Sequence, residues 1–185
     1  MLVHHTLEAF VALFFTGLKH SGKTTAAKRV ASALKRCWVD SDDLMLERLG
    51  GMSVRSFYRE KGKDEFMRLE NEVVEAFLER EPECVMSLGG GAADNARLME
   101  TLKRSGRIVY LSRPEETLLS KVLEKSGIPP FLDGNDVSGS WHVLYERRDR
   151  IYSSYADMRI ELGDYQDKDE TMRTIIKQLE SEGII

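Results

Sequence analysis

The chain has 185 residues, of which 42% are apolar and 31% charged, and its formal net charge at pH 7 is −4. This length and composition suit one globular domain with a full hydrophobic core, and they exclude an intrinsically disordered chain. The acidic balance argues against a dedicated nucleic-acid-binding protein, and the apolar run near the N-terminus is too short to span a bilayer. We therefore expect a monomer in the cytoplasm that binds neither nucleic acid nor membrane.

Strand and helix signals alternate along the chain, which is the pattern of a parallel sheet covered by helices on both faces. Continuous apolar runs predict buried strands, and apolar residues spaced three and four apart predict amphipathic helices. In chain order, the predicted elements are strand 10–16, helix 21–35, strand 37–39, helix 43–49, helix 53–60, helix 64–80, strand 84–88, helix 95–105, strand 108–112, helix 114–125, helix 141–155, strand 158–162 and helix 170–182.

The connections between these elements carry further signals. Asp94 is predicted to cap the helix that starts at Asn95. Residues 127–140 contain two prolines with glycine and acidic residues, and this loop is long enough to act as a functional lid. Cys37 and Cys84 each begin an apolar run and are predicted to be buried free thiols. The sequence thus predicts one domain over residues 1–185, with a core at about 10–162 and a lid at about 127–140.

A phosphate-binding loop is the strongest motif in the sequence. Residues 17–24 read GLKHSGKT, which matches GxxxxGK[ST] at every fixed position, after an apolar strand and at the start of a helix. Backbone N–H groups of such a loop bind phosphates, while Lys23 would hold the β- and γ-phosphate oxygens and Thr24 would ligate Mg²⁺. An ordinary glycine-containing turn is the alternative. The predicted ATP-binding residues of the loop are Gly17, His20, Ser21, Gly22, Lys23, Thr24 and Thr25.

Two carboxylates, Asp40 and Asp42, follow the second predicted strand. Ligands of a parallel α/β sheet bind at the carboxyl ends of its strands, so these side chains are expected near the phosphates. One could orient Mg²⁺ through water while the other accepts the proton of an attacking hydroxyl group. The alternative is a structural role, in which Ser41 or Asp42 caps the following helix.

Two further groups are candidates for the acceptor side of a site. A glycine triplet at residues 89–91 ends the third strand, where its backbone can approach a small polar ligand closely, although a flexible turn is the alternative. Arginines within residues 146–150 could bind an anionic substrate, because guanidinium matches the geometry of a carboxylate. For Arg147 and Arg150 we favour a solvated helix face.

These motifs together resemble the shikimate kinase family, whose members are small P-loop kinases related in fold to nucleoside monophosphate kinases. The similarity extends from about residue 10 to residue 162. Besides GLKHSGKT, its matches are Asp40-Ser41-Asp42 as the family's DSD, the glycine triplet that follows Ser87-Leu88, and Arg148 through Tyr152 to Ala156-Asp157 as the family's R-x-x-x-Y-x-x-x-A-D.

The resemblance implies an α/β P-loop NTPase fold, with a five-stranded parallel sheet flanked by helices and a lid loop. It implies transfer of the terminal phosphoryl group of ATP, with Mg²⁺, to a hydroxyl group of a small molecule, foremost shikimate. It assigns catalysis to Lys23 and Asp42, and the metal to Thr24 and Asp42. The residues that it assigns to the substrate are Asp40, Asp42, Gly89, Gly90, Gly91 and Arg148.

Three positions depart from the family's pattern. In the family's G-E-x-x-F-R-x-x-E stretch an arginine binds the substrate carboxylate, but here Met67 occupies that position and Arg68 follows, rotated by about 100° on a helix. In the family's lid sequence R-P-L-L an arginine reaches the transferring phosphate, but here Pro129 stands in its place. Lys121 aligns with an arginine that flanks the adenine, which adds Lys121 to the predicted ATP-binding residues.

These departures leave three hypotheses open. An arginine on the transferring phosphoryl group contributes a rate factor of about 10³ or more, so its loss bears on turnover more than on phosphate binding. The chain is a shikimate kinase-type enzyme, a related small-molecule kinase with a different acceptor, or a nucleotide-binding protein with little turnover. The cations that could compensate are Lys121, Lys125, Arg147 and Arg150.

Overall fold

The computed structural model describes residues 11–165 and 167–185, so Phe10, the first residue of the first predicted strand, lies outside the described residues. The strands are β1 (Ala12–Thr16), β2 (Trp38–Asp40), β3 (Val85–Ser87), β4 (Gly106–Ser112) and β5 (Met158–Glu161). The helices are α1 (Lys23–Leu34), α2 (Ser41–Arg48), α3 (Val54–Arg80), α4 (Ala96–Ser105), α5 (Glu115–Ser126), α6 (Val137–Tyr155) and α7 (Lys168–Ser181), with a 3₁₀ turn at Ala92–Asp94.

The strands form one five-stranded sheet in the order β2-β3-β1-β4-β5, and every neighbouring pair is parallel. This confirms the predicted fold. All five residues of the central strand β1 are buried, as a strand covered on both faces requires. Because the strands are parallel, the loops that follow them emerge at one edge of the sheet, and this edge carries the phosphate-binding loop, the Asp40-Ser41-Asp42 stretch and the glycine triplet.

The two faces of the sheet are covered by different helices. Along β1, Ala12 and Phe14 point into one core, while Leu13 and Phe15 point into the other, because side chains alternate along a strand. Helices α3, α4, α5 and α6 cover the first face, and α1 and α7 cover the second. Across the described part of the chain, no helix combines the length and apolar character that crossing a membrane needs.

Helix α3 unites two predicted helices. Gly62 interrupts it with φ 82° and ψ 178°, which are not helical values, so the predicted break near residues 61–63 is confirmed as a kink at one glycine. A small apolar cluster of Met45, Phe57 and Leu69 packs α2 against both segments of α3.

Helix caps account for the differences from the predicted starts of α2 and α4. Asp40 caps α2 by accepting from the N–H of Asp42, so the alternative left open above, a cap at Ser41 or Asp42, is wrong. Asn95 caps α4 by accepting from the N–H of Leu98, and Asp94 does not, because its carboxylate pairs with arginines instead.

The loop between α5 and α6 is shorter than predicted. Asp136 caps α6 by accepting from the N–H of Gly139 at 2.9 Å, so the helix begins at Val137 and the connection spans residues 127–136 rather than 127–140. We refer to residues 127–136 as the lid loop. Both cysteines are free thiols, but only Cys84 is buried; Cys37 is exposed, since it lies just before β2 rather than within it.

Candidate active site

The phosphate-binding loop occupies the turn from β1 to α1. Gly17 and Gly22 have φ values of 143° and 105°, and His20 has φ 67°, a left-handed conformation that is uncommon outside glycine. This backbone directs the start of α1, and with it the N–H groups of the first helical turn, toward the carboxyl edge of the sheet. The predicted strand–loop–helix context of the motif is therefore confirmed.

Lys23 is buried at the first position of α1, with 7% of its surface exposed. Its Nζ donates to the carbonyl oxygen of Leu18 at 2.9 Å, within the loop itself. Burial lowers the pKa of Lys23 to about 8, although Asp42 and Asp40 oppose this shift. A buried ammonium held by one carbonyl oxygen is suited to exchange that partner for phosphate oxygens.

Asp40 connects the loop to the neighbouring strands. One carboxylate oxygen accepts from the hydroxyl of Thr24 at 3.1 Å and from the hydroxyl of Ser87 at 2.5 Å, while the other caps α2. The direct partner of Thr24 is thus Asp40, not Asp42. A hydroxyl and a carboxylate are ligand types that Mg²⁺ accepts. Since the described residues hold no cluster of three or more His, Cys, Asp or Glu suited to a metal, phosphates and water would complete such a site.

Asp42 faces the glycine triplet. A Cβ built on Gly89 would lie 2.7 Å from Oδ1 of Asp42, and one on Gly90 would lie 2.9 Å from the backbone nitrogen of Lys19. Close approach on both sides, rather than a flexible turn, therefore explains these glycines. Although Asp42 is open to solvent through the cavity, surrounding protein and the negative charge of Asp40 raise its pKa, and Lys23 opposes the shift.

Arg148 lies behind the triplet. Its Nη1 donates to the carbonyl oxygen of Gly90 at 3.1 Å, and its Nη2 pairs with Asp94 at 2.7 Å. Arg147 shares the same carboxylate but is 54% exposed, in line with the solvated face favoured for it. Nε of Arg148 is buried and has no hydrogen-bond partner within the described residues. Tyr152 also donates to the Gly90 carbonyl, so α6 holds the triplet in place.

A cavity of about 620 Å³ joins these groups at the carboxyl edge of the sheet. Most of the predicted site residues line this cavity. Four of them do not: Gly17, Ser21, Gly91 and Arg148. The lining residues are Lys19, His20, Gly22, Lys23, Thr24, Thr25, Asp40, Asp42, Leu88, Gly89, Gly90, Arg113, Lys121, Leu162, Tyr165, Lys168, Thr171, Met172 and Ile175.

Arg113 and Tyr165 are lining residues that the motifs did not reveal. Arg113 is buried, donates to the carbonyl oxygens of Ser21 and Gly163, and lies 4.6 Å from the ring centre of Tyr165. The hydroxyl of Tyr165 donates to the carbonyl oxygen of His20 at 2.9 Å. Position gave a usable signal for Arg113, because it directly follows β4 at the edge where ligands bind.

The departures at residues 67 and 68 have structural consequences. Arg68 binds Glu65 and Glu72 on the surface of α3, so it does not replace the missing arginine. Glu70, the last residue of that stretch, is 5% exposed and accepts from Nδ2 of Asn95 at 2.8 Å. Burial raises the pKa of Glu70 to about 7, against the effect of the Asn95 hydrogen bond. A carboxyl group is thus kept partly protonated close to the site.

Replacing Glu70 with glutamine should stabilise the fold at alkaline pH. The pKa of Glu70 is higher in the folded than in the unfolded protein. The contribution of this carboxyl group to the free energy of unfolding is therefore fully present below pH 4.5 and is lost as the pH rises through about 7. We expect Glu70→Gln to raise the free energy of unfolding by about 3 kcal/mol at pH 8 and to leave it unchanged near pH 4.5. Urea unfolding at both pH values measures this.

The control for this prediction is Glu79→Gln, which changes an exposed glutamate on the same helix. Glu79→Gln should have the same small effect on the free energy of unfolding at pH 8 and at pH 4.5. A Glu70→Gln variant that gains no stability at pH 8 would contradict the assignment of a buried, partly protonated carboxyl group.

Known proteins match the chain in sequence over most of its length. Residues 19–180 match the profile of the family described as shikimate kinase. The shikimate kinase of Burkholderia lata is 33% identical over 174 residues, which cover 94% of this chain and 92% of the relative. The shikimate kinase of Neisseria gonorrhoeae is 29% identical over 167 residues, which cover 90% and 95% of the two chains.

Solved structures match the fold as well. The shikimate kinase of Acinetobacter baumannii in complex with shikimate has a TM-score of 0.79 at 27% identity and covers 94% of this chain and 95% of its own. The shikimate kinase of Aquifex aeolicus has a TM-score of 0.72 at 25% identity and covers 94% and 99%. The resemblance inferred from the motifs is confirmed, and the chain belongs to the shikimate kinase family of ATP-dependent kinases.

Proposed function

We propose that this protein transfers the γ-phosphoryl group of ATP to a hydroxyl group of shikimate. The observation that carries the proposal is the meeting of donor and acceptor groups in one cavity: Lys23 from the phosphate-binding loop and Asp42 from the end of β2, beside Gly89. The printed description of the Acinetobacter baumannii structure, a complex with shikimate, supports this acceptor.

On the donor side, Lys23 would release the Leu18 carbonyl oxygen and bind the β- and γ-phosphates. Thr24 and Asp40 would hold Mg²⁺, which neutralises charge on the transferring phosphoryl group when it is bound. We assign the metal side to Asp40 in preference to Asp42, because Asp40 contacts the Thr24 hydroxyl. Lys121, 5.5 Å from the ring centre of Tyr165, is proposed to flank the adenine.

On the acceptor side, Asp42 would accept the proton of the attacking hydroxyl group, a task suited to a carboxylate whose pKa is raised. Nε of Arg148, which has no hydrogen-bond partner in the part of the chain that the structure describes, and the contact of this arginine with Gly90 support a role in binding the substrate carboxylate. In-line transfer follows when the hydroxyl oxygen lies between Asp42 and the γ-phosphate.

The experiment is an ADP-release assay with a panel of hydroxylated acids that includes shikimate. We expect ADP release that depends on shikimate. If only another acceptor supports turnover, that compound is the substrate and shikimate is not. ATP binding without any turnover would indicate a nucleotide-binding protein instead. We also propose a cytoplasmic monomer, because one chain carries every residue assigned here and ATP is available in that compartment.

A further inference from the structure

The lid loop has no cation for the transferring phosphate. Residues 127–136 contain neither lysine nor arginine, and their charged residues are Asp133 and Asp136. Pro129, at the position of the family's lid arginine, is buried, and its carbonyl oxygen accepts from the N–H of Leu132 at 3.0 Å. A side-chain cation for this charge must therefore come from another element.

The compensating cations considered above, together with Arg113, have oxygen partners or line a different depression. Lys168 lines the cavity too, but from the first residue of α7 and not from the phosphate-binding loop. Lys121 and Lys125 share the carboxylate group of Glu124, at 2.8 and 3.5 Å. Arg113 donates to the carbonyl oxygens of Ser21, Gly163 and Asp164. Arg147 binds Asp94, and Arg150 lines a different surface depression, on α6.

Lys19 differs from these cations. It lies within the phosphate-binding loop, is exposed and lines the cavity. Its Nζ has one hydrogen-bond partner within the described residues, the neutral hydroxyl of Ser126 at 3.1 Å, and none of their carboxylates lies within 4.0 Å of it. An ammonium held by a single hydroxyl group is available for a stronger, charged partner.

The position of Lys19 points to the terminal phosphate. The preceding residue, Leu18, provides the carbonyl oxygen that holds the ammonium of Lys23, and the backbone of Lys19 packs against Gly90. Lys19 therefore lies between the donor and acceptor sides. Burial and the repulsion of four lysines, Lys19, Lys23, Lys121 and Lys125, lower the pKa of His20, which reflects the positive potential at this loop.

We propose that Lys19 supplies, from the phosphate-binding loop, the positive charge on the transferring phosphoryl group that the lid loop does not supply. On ATP binding its ammonium leaves Ser126, the last residue of α5, and contacts a γ-phosphate oxygen. The bond from the γ-phosphorus to the bridging oxygen of ADP breaks, one to the acceptor oxygen forms, and the proton of the acceptor hydroxyl passes to Asp42. Lys19 stabilises the equatorial oxygens without exchanging a proton. This inference rests on the proposed kinase function.

The test compares Lys19→Met, Lys19→Arg and Lys125→Met in the shikimate-dependent assay. Lys19→Met should lower kcat by about 10²- to 10³-fold, the effect of removing one donor from a developing negative charge, and should change the KM for shikimate little. Lys19→Arg should restore most of the rate. Lys125→Met removes the same charge from an exposed neighbour and should stay within about twofold of the parent.

Three outcomes would overturn the proposal: an unchanged kcat in Lys19→Met, an equal loss in Lys125→Met, or a rise in the KM for shikimate with kcat intact, which would make Lys19 a carboxylate ligand. If the parent protein shows no shikimate-dependent turnover, the proposed function fails and Lys19 is tested by binding. Lys19→Met should then weaken binding of ADP with aluminium fluoride, a mimic of the transferring phosphoryl group, at unchanged ADP affinity; equal binding of the mimic would overturn the proposal.

Discussion

Replacing Lys23 with methionine should lower kcat by about 10³-fold, because the variant loses the charge that the phosphate-binding loop places on the β- and γ-phosphates. Methionine retains most of the apolar stem, and within the described residues the buried parent ammonium has only the Leu18 carbonyl oxygen as hydrogen-bond partner. We therefore expect the free energy of unfolding not to fall. Steady-state ADP release, together with urea unfolding of both proteins, measures the two effects separately.

The pH dependence of kcat/KM is a second test of the role of Lys23. Burial lowers the pKa of Lys23 to about 8 in the nucleotide-free protein, so the ammonium is lost as the pH rises through that value. The kcat/KM for ATP should therefore fall above about pH 8, and the residual activity of Lys23→Met should lack this limb.

The matched control is Lys28→Met on the exposed face of α1, where the ammonium lies 4.3 Å from the ring centre of Trp38. This change should cost at most about 1 kcal/mol of stability and leave kcat unaltered. Retention of more than about a tenth of the parent kcat by Lys23→Met would contradict the role assigned to the loop.

Replacing Asp42 with asparagine should lower kcat by about 10²- to 10⁴-fold, the range expected when a general base is removed. Asparagine has the same shape, so it fits beside Gly89, where there is no room for a Cβ. The parent kcat/KM for shikimate should fall as the pH drops through the raised pKa of Asp42, since the protonated acid cannot accept a proton. The variant should lack this acid limb.

Stability separates this chemical role from a structural one. Because the surrounding protein and the negative charge of Asp40 raise the pKa of Asp42, Asp42→Asn should be at least as stable as the parent at neutral pH while losing activity. Asp43→Asn changes the next residue of α2, which is exposed, and should leave both properties unchanged. A large rise in the KM for shikimate with an unchanged kcat would show that Asp42 binds the acceptor without acting as a base.

Local patterns were sufficient where short-range contacts decide the structure. Apolar runs and three-to-four spacing predicted the strands and helices because burial of one face determines both. It was also predictable that Arg68 does not replace the arginine missing at residue 67, since neighbouring side chains on a helix point in different directions. Arg68 instead pairs with Glu65 and Glu72 along α3. Helix starts were less predictable, because Asp40 and Asn95 compete with equally good capping residues beside them.

The sequence by itself determined the phosphate-binding loop and the family, because GLKHSGKT, the DSD triplet and the glycine triplet are contiguous patterns whose chemistry is local. Tertiary structure decided the rest. The pairing of Thr24 with Asp40, the buried carboxyl group of Glu70 and the contact of Lys19 with Ser126 each join residues from separate elements. Only the packing of helices around a parallel sheet brings such residues together. A local sequence pattern does not predict how close residues from separate elements lie in the fold.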